Sequence, residues 1–217
     1  MSSRKLALAT SLLYVAFFCG TTLKAQSSEP KPLTGKTILI DPGHGGSDPG
    51  TIASGAQEKD VVLAISLSLK EKLEELGATV VIARDQDVYL SLRDRLKLSI
   101  ETKPDLFLCV HVNYVGAPSV SGIETYYHDE ADKPLAETFL STLADRLKDR
   151  AIKASKAGWF VLVGNPAPAI LVEVGYLSSK RTGPLLSTST YQNEIAEALA
   201  EASIKFLGGK QAATSPH

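Results

Sequence analysis

At 217 residues with 44% hydrophobic content, the chain is long enough for one domain with a real core. A net charge of -1 excludes bulk electrostatic attraction to nucleic acid or to an anionic membrane surface as the main mode of binding. Cys19 and Cys109 are the only cysteines, which excludes a scaffold stapled by disulfides.

Residues 1–25 read as a secretory signal, with Arg4-Lys5, an apolar run from Leu6 to Cys19 and a small-residue exit near Ala25. Export to a periplasm or to the extracellular space follows, with no membrane attachment once the signal is removed. Leu23 is bulkier than the residue usual before such a cut, so a retained anchor is the alternative. Cleavage there removes Cys19. Cys109 then lies alone within Phe107-Leu108-Cys109-Val110, where it reads as a small buried hydrophobe and not as a thiolate. Residues 26–35, with their Ser, Pro and Lys, read as a flexible leader.

The domain is expected over residues 36–207. A strand at 37–40 runs into Asp41-Pro42-Gly43-His44-Gly45-Gly46. Residues 58–76 form an amphipathic helix, with Val61, Val62, Ile65, Leu69, Leu73 and Leu76 on one stripe and Gly77 as the stop. A strand at 79–83, a helix at 90–100 and a strand at 105–112 follow, the last delivering His111 and then Asn113. Beyond them lie a strand at 122–127, a helix at 134–150, a buried strand at 170–174 and a last helix at 191–207, with a disordered tail over 208–217. This alternation predicts a single α/β domain whose mostly parallel sheet is flanked by helices on both faces. Such sheets bind ligands at the C-terminal ends of their strands.

Four chemistry-bearing side chains fall at those ends. His44 and His111 follow two apolar strands, Glu58 opens the first helix, and Glu173 interrupts Ile170-Leu171-Val172-Glu173-Val174. Two imidazoles and a carboxylate are the donor set of a catalytic zinc ion that keeps one position open for water, and His44, Glu58 and His111 can make it. Such a site acidifies water and polarises the carbonyl under attack. A further carboxylate outside the metal shell is then needed to take the water proton and pass it to the leaving amine, and Glu173 is the candidate. Its apolar neighbours predict a raised pKa. Each residue also has a plainer reading: His44 as a loop residue, His111 as a core histidine, Glu58 as a helix N-terminal charge, Glu173 as the partner of Arg84 or Arg150. Arg84, Arg93 and Arg95 read as structural ion-pair or helix-surface residues. Trp159 and Phe160 read as core rather than as the edge of a groove.

These segments, together with Asp48, Gly50, Lys59, Gly122-Ile123-Glu124-Thr125-Tyr126 and Glu173-Val174-Gly175-Tyr176, resemble the zinc-dependent N-acetylmuramoyl-L-alanine amidases of the type 3 (AmiC-like) family. The resemblance covers residues 36–207. It implies a twisted sheet of about six strands, one zinc ion per chain on His44, Glu58 and His111, and Glu173 as the catalytic glutamate. It also implies peptidoglycan as substrate, cut between the lactyl group of N-acetylmuramic acid and L-alanine, by a monomer whose activator, where one exists, is unknown. Some relatives carry a helix that blocks the metal; the segment 127–159 has room for one long helix and little else, so an open site is expected. Asn113 is a substrate-binding or supporting residue, or a plain turn residue. Two rival functions use the same residues: a zinc peptidase cutting within the stem peptide, and a wall-binding protein without turnover.

Overall fold

The computed structural model describes residues 30–212. Its elements are β1 (Thr37–Pro42), a short hairpin of β2 (Ile52–Ala53) and β3 (Ala56–Gln57), α1 (Glu58–Glu75), β4 (Thr79–Ile82), α2 (Leu92–Thr102) and β5 (Leu106–Asn113). Then come β6 (Ile123–Tyr127), α3 (Lys133–Leu147), β7 (Ala151–Lys156), β8 (Ala169–Tyr176), α4 (Gly183–Leu186) and α5 (Ser189–Ala212). Six strands form one sheet in the order β4-β1-β5-β8-β6-β7. All its pairings are parallel except β6 with β8.

Strand periodicity divides the central strands between two cores. Ile38, Ile40, Leu106, Leu108, Val110, Ile170, Val172 and Val174 pack under α1, α3 and α5 in the larger cluster. The alternate residues Leu39, Phe107, Cys109, Ala169 and Leu171 face the other way, where Leu98 of α2 and Val161 and Leu162 of the segment before β8 cover them. Helices therefore flank both faces, α1, α3 and α5 with the short α4 on one and α2 with an irregular segment on the other. Towards the C-terminal strand ends that lighter cover gives way to a cleft. The next residues on the same face, Asp41, His111 and Glu173, line it.

The structure differs from expectation at both ends and at one edge. Leu33, read as flexible leader, is fully buried against the main core, and its amide donates to the Leu76 carbonyl at 3.0 Å, so the domain begins in the leader. α5 runs on through residues 208–212, where the tail was expected; two glycines weaken a helix by about 1 kcal/mol each, too little to stop one already propagating from buried turns. The rest of that tail and residues 1–25, read as a secretory signal, lie outside the described residues. α3 ends at Leu147, capped by Lys148 in the left-handed conformation, and β7 follows at the sheet edge with no counterpart in the sequence reading. Its residues, Ala-Ile-Lys-Ala-Ser-Lys, lack a strand's apolar alternation because one side of an edge strand meets solvent, where lysines deter further pairing. Among the described residues, no helix is long and apolar enough to cross a membrane.

Candidate active site

Beyond β1 the backbone turns through His44 at a φ of 58°, a strained value for a residue with a side chain. Two buried arginines hold it there. Arg84 donates to the carbonyls of Pro42, Gly43 and Lys59, the last two at 2.8 and 2.9 Å. Arg95 pairs with Asp41 at 2.5 Å and donates to the Pro42 and His44 carbonyls at 2.7 and 2.6 Å. Their expected structural role is thus specific: they fix the loop that presents His44. Arg93 is exposed on α2. Gly43 is required by proximity, since a β-carbon there would overlap the His111 ring.

His44, Glu58 and His111 converge, each offering a ligand atom within 4.8 Å of the others. The Oε1 atom of Glu58 lies 3.2 Å from His44 Nε2 and 2.9 Å from His111 Nδ1. Glu58 is buried at the first position of α1, and two backbone amides hold its carboxylate: Val112 donates to Oε1 and Thr51 to Oε2, both at 3.0 Å. Burial alone would raise its pKa, but the hydrogen bonds with His111 and His44 outweigh it and hold the carboxyl far below the usual range. His44 Nδ1 donates to Asp48 at 2.8 Å, which leaves Nε2 turned towards the cluster. Burial acts to lower the His44 pKa, yet Glu58 and Asp48 together raise it. Two nitrogens and an anionic oxygen on one point are a fitting donor set for a divalent transition ion.

Glu173 sits directly beside His111, its partner in the β5–β8 register. Neither Arg84 nor Arg150 pairs with it, and Oε2 is shielded from solvent with no hydrogen-bond partner among the described residues. Burial pushes its pKa well above the ordinary carboxylate range, and the charges of Glu58 and Glu124 push the same way. Sequence reading missed the place of Glu124, which stands opposite Glu173 in the antiparallel β6–β8 pair and faces Lys153 of β7 on its other side. It accepts from the hydroxyls of Tyr126 and Tyr176, the latter at 2.5 Å, and from Asn113 Nδ2 at 3.5 Å. Its signals in the sequence were a charged residue inside the β6 run and a place in the Gly122-to-Tyr126 segment of the family resemblance; the register that makes it a neighbour of Glu173 is not readable locally. Asn113 lines the cleft, and its Oδ1 accepts from the Tyr114 amide at 2.7 Å.

The cleft has a volume of about 760 Å³. Cys109 is buried in its floor, and burial raises the pKa of its thiol, consistent with a hydrophobe and not a nucleophile. Trp159 and Phe160 belong to the rim and not to the core, 50% and 45% exposed, because the chain leaving β7 anchors itself with Val161 and Leu162 instead. α3 packs against β6, β7 and α5, on the face away from the cleft. No helix of the segment 127–158 contributes to the cleft lining.

A family profile described as N-acetylmuramoyl-L-alanine amidase matches residues 38–205. The chain belongs to this amidase family. LytC, an N-acetylmuramoyl-L-alanine amidase of Bacillus subtilis, is 33% identical over 189 residues, which are 84% of this amidase and 38% of LytC. The amidase AmiC2 of Nostoc punctiforme superposes with a TM-score of 0.76 at 35% identity, over 81% of this chain and 97% of that one. CwlD of Clostridioides difficile, solved in complex with the GerS lipoprotein, superposes with a TM-score of 0.76 at 29% identity, over 79% and 98% of the two chains. The amidase thus has the family's single α/β domain, with a six-stranded, mostly parallel sheet.

Proposed function

We propose that this peptidoglycan amidase hydrolyses the amide between the lactyl group of N-acetylmuramic acid and L-alanine, with zinc held by His44, Glu58 and His111 and with Glu173 as general base and acid. The observation that carries the reading is the convergence of the three donor groups beside an unpartnered buried carboxylate. When bound, zinc supplies a Lewis acid and brings the pKa of water at its open position to about 7.

The residues of the chain do the rest. The depressed pKa of Glu58 keeps it anionic as a ligand, and Asp48 holds His44 in the tautomer that frees Nε2. Glu173 takes a proton from the attacking water as its oxygen bonds to the lactyl carbonyl carbon. It returns that proton to the amide nitrogen as the carbon–nitrogen bond breaks, leaving a lactyl carboxylic acid and the free amine of L-alanine. Burial raises the Glu173 pKa, which favours the protonated form that donates in the second transfer. Asn113, in the cleft wall next to this pair, is assigned to substrate contact. The enzyme works as a monomer with one zinc ion, exported to a periplasm or to the cell wall, where peptidoglycan lies.

Mass spectrometry of purified peptidoglycan digested by the protein tests the cut. Complete stem peptides beginning at L-alanine, lost on adding a chelator, are the expected products; shortened peptides still attached to glycan mean a peptidase. Glu173→Gln is expected to keep zinc and fold while losing hydrolysis by at least about a hundredfold. Wild-type turnover in that variant removes Glu173 from the mechanism.

A further inference from the structure

We propose that the aromatic rim of the cleft, centred on Trp159, is a saccharide platform that holds a hexosamine ring of the glycan strand, so that this enzyme grips its substrate by the sugar and not by the stem peptide. The proposal rests on the peptidoglycan reading above and deepens it. Trp159 is half exposed, although the two residues after Phe160 are buried in the core. The turn is therefore anchored, with the amides of Leu162 and Val163 donating to the Trp159 carbonyl at 2.9 and 3.0 Å, and its aromatic side chains are the part left outside. Tyr89 and Leu92, which line the same cleft, are likewise 59% and 53% exposed. Large apolar groups gathered around one opening mark a surface that something covers.

The indole is also held in place. Tyr126 meets it edge-on, with ring centroids 6.1 Å apart and an interplanar angle of 89°. Glu124 fixes the Tyr126 hydroxyl, and the Lys153 ammonium lies 5.2 Å from the centre of the Tyr126 ring. A pre-oriented ring loses little freedom on binding.

Charge selects the occupant. Among the described residues, Arg95 is the only lysine or arginine lining the cleft, and its guanidinium is committed to Asp41 and to the Pro42, His44 and Leu90 carbonyls. Among the described residues, the carboxylates of a stem peptide meet no uncommitted lysine or arginine there. A pyranose ring is neutral, and its C–H faces lie flat on an indole while its hydroxyls remain in water.

Trp159 is the chain's single tryptophan, so its fluorescence reports on this site alone. Titration of the full chain with the N-acetylglucosamine tetramer is expected to shift that emission saturably, and titration with free stem tetrapeptide is not. By calorimetry, Trp159→Ala is expected to weaken tetramer binding about tenfold and Trp159→Phe to restore most of it, on the scale of one aromatic contact; circular dichroism checks the fold of both. A response to the peptide alone, no response to either probe, or unchanged tetramer affinity in Trp159→Ala overturns the proposal. These are binding measurements, so a failure of the amidase reading would appear in the digestion products and not here.

Discussion

Replacing Arg95 with Met tests how the His44 loop is held. Asp41 and Arg95 are both buried and bonded at 2.5 Å, so the variant leaves a carboxylate in the core beneath the cleft without its cation. Breaking such a pair from one side destabilises by about 3–5 kcal/mol. At about 2–4 °C per kcal/mol for a domain of this size, the melting temperature should fall by about 6–20 °C. The same change strips a donor from the carbonyls of Pro42 and His44, so metal affinity should fall with stability. Thermal unfolding followed by circular dichroism measures the first effect and metal-competition titration the second. The double variant Asp41→Asn/Arg95→Met has no stranded charge and should recover at least about 1 kcal/mol of the loss. Melting of Arg95→Met within about 2 °C of wild type, or a double variant less stable than the single, would refute the argument that the buried charge is the source.

Asp48→Ala removes the group that orients His44 and should weaken metal binding about 10–100-fold with little change in fold; undiminished affinity in a chelator competition would show that His44 orients itself. Leu33→Ala should cost about 2–5 kcal/mol in urea denaturation, since Leu33 is fully buried; a loss under about 0.5 kcal/mol would return it to the leader. The pKa of Tyr191 is pushed up to about 12, by burial first and then by Asp149. Its hydroxyl thus ionises in the unfolded chain near pH 10 while staying neutral in the folded one, so the unfolded state binds fewer protons between these values and stability falls as pH rises, by about 1.4 kcal/mol per pH unit. Tyr191→Phe should lose that part of the slope between pH 10 and pH 12, and an unchanged slope would contradict the shift.

Much of this site was legible in the amino-acid sequence because its signals are local. A period of two places Phe107, Cys109 and His111 on one side of a strand, and a stripe repeating every three to four residues makes α1 a helix beginning at Glu58. Apolar strands that stop at a histidine or carry a glutamate show which side chains reach the strand ends. The tertiary structure alone decided which of those ends are neighbours. Pairing order joins segments far apart in the chain: β8 lies between β5 and an antiparallel β6, and only that arrangement sets Glu173 between His111 and Glu124. The polar edge strand β7, the burial of Leu33 and the exposure of Trp159 were hidden for the same reason. Each depends on what covers a residue from elsewhere in the fold, while periodicity records only how a segment faces its own two sides.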